Sequence, residues 1–154
     1  ANVTCRVSRL AGRLQEEVEP ADIVLASEAL CDDGTSPCYT NKETAKPSKT
    51  LFSKLSKQLE TDGKNFHTGR NWTTDAIFRE TKAEVKHYQK ESVLTVEMET
   101  AAFYAICAKR KAQGVAAFAV SDVLARYKWE PHFGEKPIFR ALEDIFIAAQ
   151  KVLK

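Results

Sequence analysis

Residues 115–120, Val-Ala-Ala-Phe-Ala-Val, are apolar without a break. A half-buried strand needs apolar residues only at every second position, so an unbroken run of small and β-branched residues predicts a strand covered on both faces. Ser121 and Asp122 then fall at a strand's carboxyl end, where open α/β sheets gather their ligand sites. A second apolar stretch, Val93, Leu94 and Val96, runs into Glu97-Met98-Glu99-Thr100 and the small pair Ala101-Ala102. An ionised carboxylate at such an exit accepts hydrogen bonds from two adjacent hydroxyls, which is the geometry of a sugar diol. Two segments therefore deliver acids to one kind of place: an oxygen acceptor for a polyol and, across from it, a carboxyl that could serve as an acid.

The rest of the chain alternates strands and helices. Residues 22–30 read as a strand closed by the turn Asp32-Asp33-Gly34, and residues 41–48 as a loop. Ser48 or Thr50 caps a helix carrying Leu51, Leu55 and Leu59 on one face. Residues 66–72 form a short strand, after which Thr73, Thr74 and Asp75 offer N-cap oxygens to a helix over 76–90 with Ile77, Phe78, Val85 and Tyr88 inward. Small residues at helical spacing over 99–111 let a third helix lie close against a sheet, with Gly114 at its C′ position. Pro137 opens a last helix striped by Ile138, Leu142, Ile145, Ala149 and Val152. This order predicts an α/β protein with a central sheet, and the absence of any linker or repeat predicts one domain over residues 1–154.

Charge and composition narrow the partners. The formal net charge is +2 with no long basic run, which argues against nucleic acid and against a polybasic membrane helix. No apolar run approaches the ~20 residues of a transmembrane helix and the start shows no signal pattern, so the expected ligand is small and the expected location cytoplasmic. Cys5, Cys31, Cys38 and Cys107 form no Cys-x-x-Cys pair, and His67, His87 and His132 have no partner at ligand spacing, so no metal is expected. Cys31 and Cys38 flank the Asp-Gly turn but are expected as free thiols, and Cys107 as a small buried hydrophobe.

Several stretches together resemble the nucleoside phosphorylase family, the purine and uridine phosphorylases and their nucleosidase relatives. They are Ala21-Asp22-Ile23-Val24 leading to Asp33-Gly34-Thr35-Ser36 and Tyr39, Gly69-Arg70-Asn71-Trp72-Thr73-Thr74-Asp75, Val96-Glu97-Met98-Glu99, and Val120-Ser121-Asp122. The likeness runs from about Leu10 to the C-terminus, with Tyr127-Lys128-Trp129-Glu130-Pro131 closest to the microbial members. It implies a three-layer α/β/α sandwich with a central mixed sheet, N-terminally truncated so that the chain corresponds to the last two-thirds of the family domain. It also implies cleavage of a nucleoside's glycosidic bond with phosphate as co-substrate, no cofactor, and a homo-oligomer, since a sheet edge stripped of its leading strands would seek a partner.

By the same resemblance Glu99 grips the ribose diol, Met98 packs beneath the ribose, Trp72 stacks on the base, and Asp122 protonates a purine at N7. Thr73 and Ser121 belong to the substrate-binding set, Ser121 orienting Asp122 or capping the turn; Glu97 is either a sugar contact or one half of a structural ion pair. Each has a plainer reading: Glu99 as a helix-terminal acid, Met98 and Trp72 as core, Asp122 as an N-cap. Arg6 falls where the family has an arginine before a glycine-rich phosphate turn, but Arg9 and Leu10 stand at that turn's glycine and hydroxyl positions. A leucine donates no hydrogen bond and an arginine side chain blocks close backbone approach, so a phosphate contact by Arg6 is in doubt and phosphorolysis, hydrolysis and a non-catalytic oligomerising remnant stay open. Purine is favoured over pyrimidine by Asp122 and by the lack of a Gln-x-Arg pair after Trp72.

Overall fold

The computed structural model describes the backbone of residues 4–153 and the side chains of residues 9–153. Its strands are β1 (Thr4–Arg13), β2 (Ile23–Asp32), β3 (Thr44–Ala45), β4 (His67–Thr74), β5 (Val93–Glu97), β6 (Gln113–Val123) and β7 (Glu130–Pro131); its helices are α1 (Lys49–Thr61), α2 (Lys82–Lys90), α3 (Thr100–Lys109) and α4 (Lys136–Leu153). The sheet is mixed and runs β3-β2-β4-β5-β1-β6-β7, with β2 also pairing β6. β1 runs parallel to β6, and β4 parallel to both β2 and β5, whereas β1 with β5 and β2 with β6 are antiparallel. The α/β class with a mixed sheet is thus as expected, but the central sheet curls round until Ile23–Leu25 meet Ala117–Ala119 rather than lying open as one layer. Each of the five long strands is paired on both sides over part of its length, with the two-residue strands β3 and β7 ending the order.

β6 carries the fold as its composition predicts. Val115, Ala117 and Ala119 pack with Leu51, Leu55 and Leu59 of α1 and with Ile138, Ala141 and Ile145 of α4. The alternate residues Ala116, Phe118 and Val120 pack with Ala101, Tyr104 and Ala105 of α3. Successive side chains on a strand point to opposite faces, so helices on both faces require an apolar residue at every position. The β2–β6 ladder stops at Leu25 and Ala117, and the Tyr104 hydroxyl supplies the missing rung: it donates to Ala26 O at 2.8 Å and accepts from Ala116 N at 3.0 Å.

Three local expectations are corrected. The helix expected over 76–90 is confined to α2, because Thr73 and Thr74 stay in β4 and the cap is Thr81, in a capping box with Glu84. Ile77 and Phe78 consequently sit in an exposed 3-10 turn, Ile77–Arg79, instead of on a buried face. Gly114 lies inside β6 and does not end α3; Lys111, at φ 55°, takes the left-handed position, and a Cβ on Gly114 would stand 2.8 Å from Cys107 Sγ. Finally, residues 6–12, compared above with a phosphate turn, are strand β1 with an irregularity between Ala11 and Gly12. Of the two proposed caps for α1, Ser48 is the one used, accepting from Leu51 N.

Candidate active site

β5 delivers Glu97 to its carboxyl end, and the direction of the chain there reverses into α3 after Met98 and Glu99. A helix begins with amides that have no intrahelical acceptor, and at α3 they are met by Glu97. Its Oε2 accepts from Glu99 N at 2.8 Å, Thr100 N at 2.9 Å and Thr100 Oγ1 at 2.8 Å. Its Oε1 accepts from Asn71 Nδ2 at 2.7 Å and Thr73 Oγ1 at 2.6 Å, both on the neighbouring strand β4. Glu97 is 6% exposed and is engaged at both oxygens by neutral donors rather than by the ion-pair partner expected of its structural reading, while it also lines the cleft described below. Thr73, expected in the substrate-binding set, is wholly buried behind the cleft lining, where it donates to Glu97 and accepts from Ala101 N.

Because Glu97 satisfies the α3 amides, Glu99 is released from that duty. It stands at the N-cap position without a side-chain cap hydrogen bond. Its carboxylate turns instead toward Arg9 Nη1 at 3.3 Å, with the two side chains about half exposed. Burial pushes the Glu99 carboxyl above its ordinary value, the Arg9 charge draws it back, and the Glu97 charge raises it again.

Glu99, Met98, Ser121 and Asp122 all line one cleft of about 840 Å³, within the size range of small-molecule sites. Asp122 reaches it from the carboxyl end of β6, next to the bulge in β1. A Cβ on Gly12 would lie 2.9 Å from Asp122 Oδ2 and 2.7 Å from Leu124 Cδ1, so any larger residue there would push the Asp122 carboxylate or the Leu124 side chain aside. Ser121 Oγ donates to Asp122 Oδ1 at 2.8 Å. β7 folds back along β6 and brings Trp129 Nε1 to Asp122 Oδ2 at 3.0 Å.

Trp72 does not belong to this cleft. It is 1% exposed, donates from Nε1 to Asp32 Oδ2 at 2.8 Å, and stacks on Tyr88 with ring centroids 4.5 Å apart. The expectation that it stacks on a base is corrected: β4 turns it into the small core beneath α2 with Leu14, Val85, Val93, Val96 and Leu124. The apolar walls of the cleft come from residues the sequence reading put elsewhere or passed over, namely Ile77, Phe78, Trp129 and Phe133. No local pattern marked Ile77 and Phe78 as cleft residues, because their exposure follows from the 3-10 turn that replaces the expected helix there. Arg9, set aside above as an obstacle to phosphate, and Glu80, which no pattern singled out, also line it. The Arg6 side chain lies outside the described residues.

Among the described residues no group of three or more His, Cys, Asp or Glu could hold a metal, and no helix is long and apolar enough to cross a membrane. Cys31 and Cys38 are both free thiols, and burial pushes the Cys31 thiol up, away from the reactive thiolate.

The model of the phosphorylase superfamily matches residues 10–143. A guanosine phosphorylase of Halorubrum lacusprofundi is 32% identical over 113 residues, covering 73% of this chain and 46% of that protein. A DeoD-type purine nucleoside phosphorylase of Buchnera aphidicola is 29% identical over 114 residues, 72% of this chain and 48% of its own length. The chain thus spans about half the length of these curated relatives. A solved structure described as the P knowlesi homolog of P falciparum PNP superposes with a TM-score of 0.78 at 21% identity, over 97% of this chain and 63% of that one, a likeness of fold.

Proposed function

This chain belongs to the phosphorylase superfamily, and from that premise we propose that it cleaves the N-glycosidic bond of a purine nucleoside with phosphate, giving free base and ribose 1-phosphate. The observation that carries the reading is the division of labour between two glutamates two residues apart. Glu97 holds the start of α3 with both oxygens, and Glu99 is left facing the cleft shared with Asp122. Among relatives, those named guanosine and purine nucleoside phosphorylases support a purine substrate.

The chemistry needs a grip on the sugar, a neutral leaving base and a nucleophile on the far face. Glu99 accepts the ribose 2′- and 3′-hydroxyls, each charge-assisted bond contributing ~1.5–3 kcal/mol, while Met98 packs under the ring. As the glycosidic bond breaks, its electron pair passes to the base, and Asp122 directs a proton to N7 with Ser121 holding its carboxyl in place. Such general acid assistance supplies ~10²–10⁴-fold. Arg9, whose guanidinium already pairs with a carboxylate in the cleft, is available to an anionic co-substrate, which favours phosphate over water as acceptor. Ile77 and Phe78 offer the base an apolar face in place of Trp72.

Free-base release from inosine, adenosine and uridine, with and without phosphate, tests the reading. Purine release that depends on phosphate is expected. Release without phosphate would make the chain a hydrolytic nucleosidase, exclusive activity on uridine would remove the role given to Asp122, and no release from any of them would leave a non-catalytic member of the family.

A further inference from the structure

Arg9 and Glu99 form the one ion pair among the described residues whose two members both line the cleft. The contact is loose: a single nitrogen, Nη1, stands 3.3 Å from Oε1, and both side chains are about half exposed. A well-formed charge-assisted bond spans ~2.7–2.9 Å and an arginine at its strongest uses two N–H groups at once. The other acids behave differently. Glu97 and Asp122 are held by neutral donors on both oxygens, and Glu80, Lys82 and Lys128 form no ion pair among the described residues. Neither member of the pair is needed where it stands. Arg9 lies within β1, opposite Phe118 of β6, so the ladder fixes its backbone while its side chain is free to turn away. Glu99 stands at the start of α3, where Glu97 already meets the Glu99 and Thr100 amides, so losing Arg9 leaves no helix end undone.

We infer that this pair couples the two substrates: in the empty cleft Arg9 and Glu99 occupy one another, and an anion taken by Arg9 releases Glu99 to the sugar diol, so that phosphate and nucleoside each strengthen the other's binding. The inference rests on the nucleoside-cleaving reading above, in which Arg9 and Glu99 serve different substrates. A guanidinium grips a phosphate through two parallel N–H groups, which a carboxylate held by one nitrogen does not match. The diol's hydroxyls donate to the carboxylate oxygens, one of which Arg9 holds. Opening the pair costs the same whichever ligand demands it, and once one ligand has opened it the other binds without that cost. Linkage makes the gain reciprocal. An exposed pair contributes little, so the coupling is about two- to fivefold. Were Arg9 and Glu99 independent there would be none, and were Arg9 an ally of Glu99 in holding ribose, its removal would weaken the nucleoside.

Calorimetric titration with inosine and inorganic sulfate, an anion of phosphate's shape that keeps the ternary complex from reacting, measures the coupling directly. In the parent chain saturating sulfate should tighten inosine by that factor, and saturating inosine should tighten sulfate equally. Arg9→Met keeps the length of the side chain and removes its charge; without sulfate it should bind inosine as tightly as the parent does with sulfate, and sulfate should then change nothing. A parent that shows no coupling, or an Arg9→Met protein that binds inosine no better than the sulfate-free parent, would overturn the proposal. Binding of no inosine under any condition would reject the nucleoside reading, and the exchange is then read from sulfate alone. Nitrogen NMR of the arginine side chains should show the Arg9 signal, identified by its loss in Arg9→Met, shifting with sulfate and doing so at lower concentration in Glu99→Gln. An Arg9 signal indifferent to sulfate, or to the loss of the Glu99 charge, would sink the exchange itself.

Discussion

Glu97→Gln and Glu99→Gln change one atom each, two residues apart, and should have opposite consequences. Glutamine keeps a single acceptor oxygen. Placed at Oε2 it preserves the bonds to the amides of Glu99 and Thr100, but its NH₂ then faces Asn71 Nδ2 and Thr73 Oγ1. Asn71 is wholly buried and its Oδ1 already accepts from Thr95 Oγ1 at 2.9 Å, so it cannot turn over without breaking a second bond. One buried donor is left unsatisfied at about 1–3 kcal/mol, and the remaining bonds lose the strength that a charged acceptor adds. Loss of negative charge at the start of α3 adds ~0.3–1 kcal/mol. The sum is about 3 kcal/mol off the unfolding free energy for Glu97→Gln. Glu99→Gln gives up only a half-exposed pair with Arg9, about 0–1 kcal/mol, yet should weaken nucleoside binding by ~1.5–3 kcal/mol with little effect on the matching free base. Urea unfolding at constant m-value and calorimetric titration of nucleoside and base against all three proteins provide the comparison. Equal stability losses in the two variants, or a Glu99→Gln protein that binds base and nucleoside equally poorly, would refute the assignment.

Trp72→Phe removes the bond to Asp32 and should lower stability by about 1–3 kcal/mol while leaving nucleoside affinity unchanged; tenfold weaker binding would return Trp72 to the base. Tyr104→Phe strips a buried donor and acceptor from the β2–β6 seam, so a loss of about 2 kcal/mol or more is expected in chemical unfolding, with faster hydrogen exchange at the Ala116 amide; unchanged exchange would mean the seam closes without the hydroxyl. Glu80 contributes a pH slope of stated sign. Its folded carboxyl titrates at about 7 against an ordinary 4.5, so the folded chain holds the proton more tightly, the contribution is fullest below 4.5, and it is lost as pH rises through 7. Unfolding at pH 5 and pH 8 should show Glu80→Gln gaining on the parent as pH rises, and a constant difference would contradict it.

Much of the fold is legible in one dimension because burial leaves a periodic trace. The unbroken apolar run of β6, the four-residue spacing of Leu51, Leu55 and Leu59 in α1, and the stripe of α4 each record which faces are covered, and the structure covers those faces. The two acid-bearing strand ends were legible for the same reason: Glu97 to Glu99 and Ser121-Asp122 follow apolar segments and line one cleft. What no local pattern contains is the identity of a partner across the sheet. Glu97 is held at one oxygen by Asn71 and Thr73, which arrive on β4 in register with β5, while its other oxygen meets the α3 amides and leaves Glu99 to Arg9. Trp72 is core because Tyr88 of α2 and Asp32 of β2 close around it, and Glu80 lines the same cleft as Asp122 although their positions differ by 42 in the sequence. The closure of β2 onto β6 is likewise a non-local pairing, completed by a tyrosine from α3. Periodicity reports how much of a side chain is buried; the hydrogen bond or charge it meets depends on strand register and on the turns between, which exist only once the chain has folded.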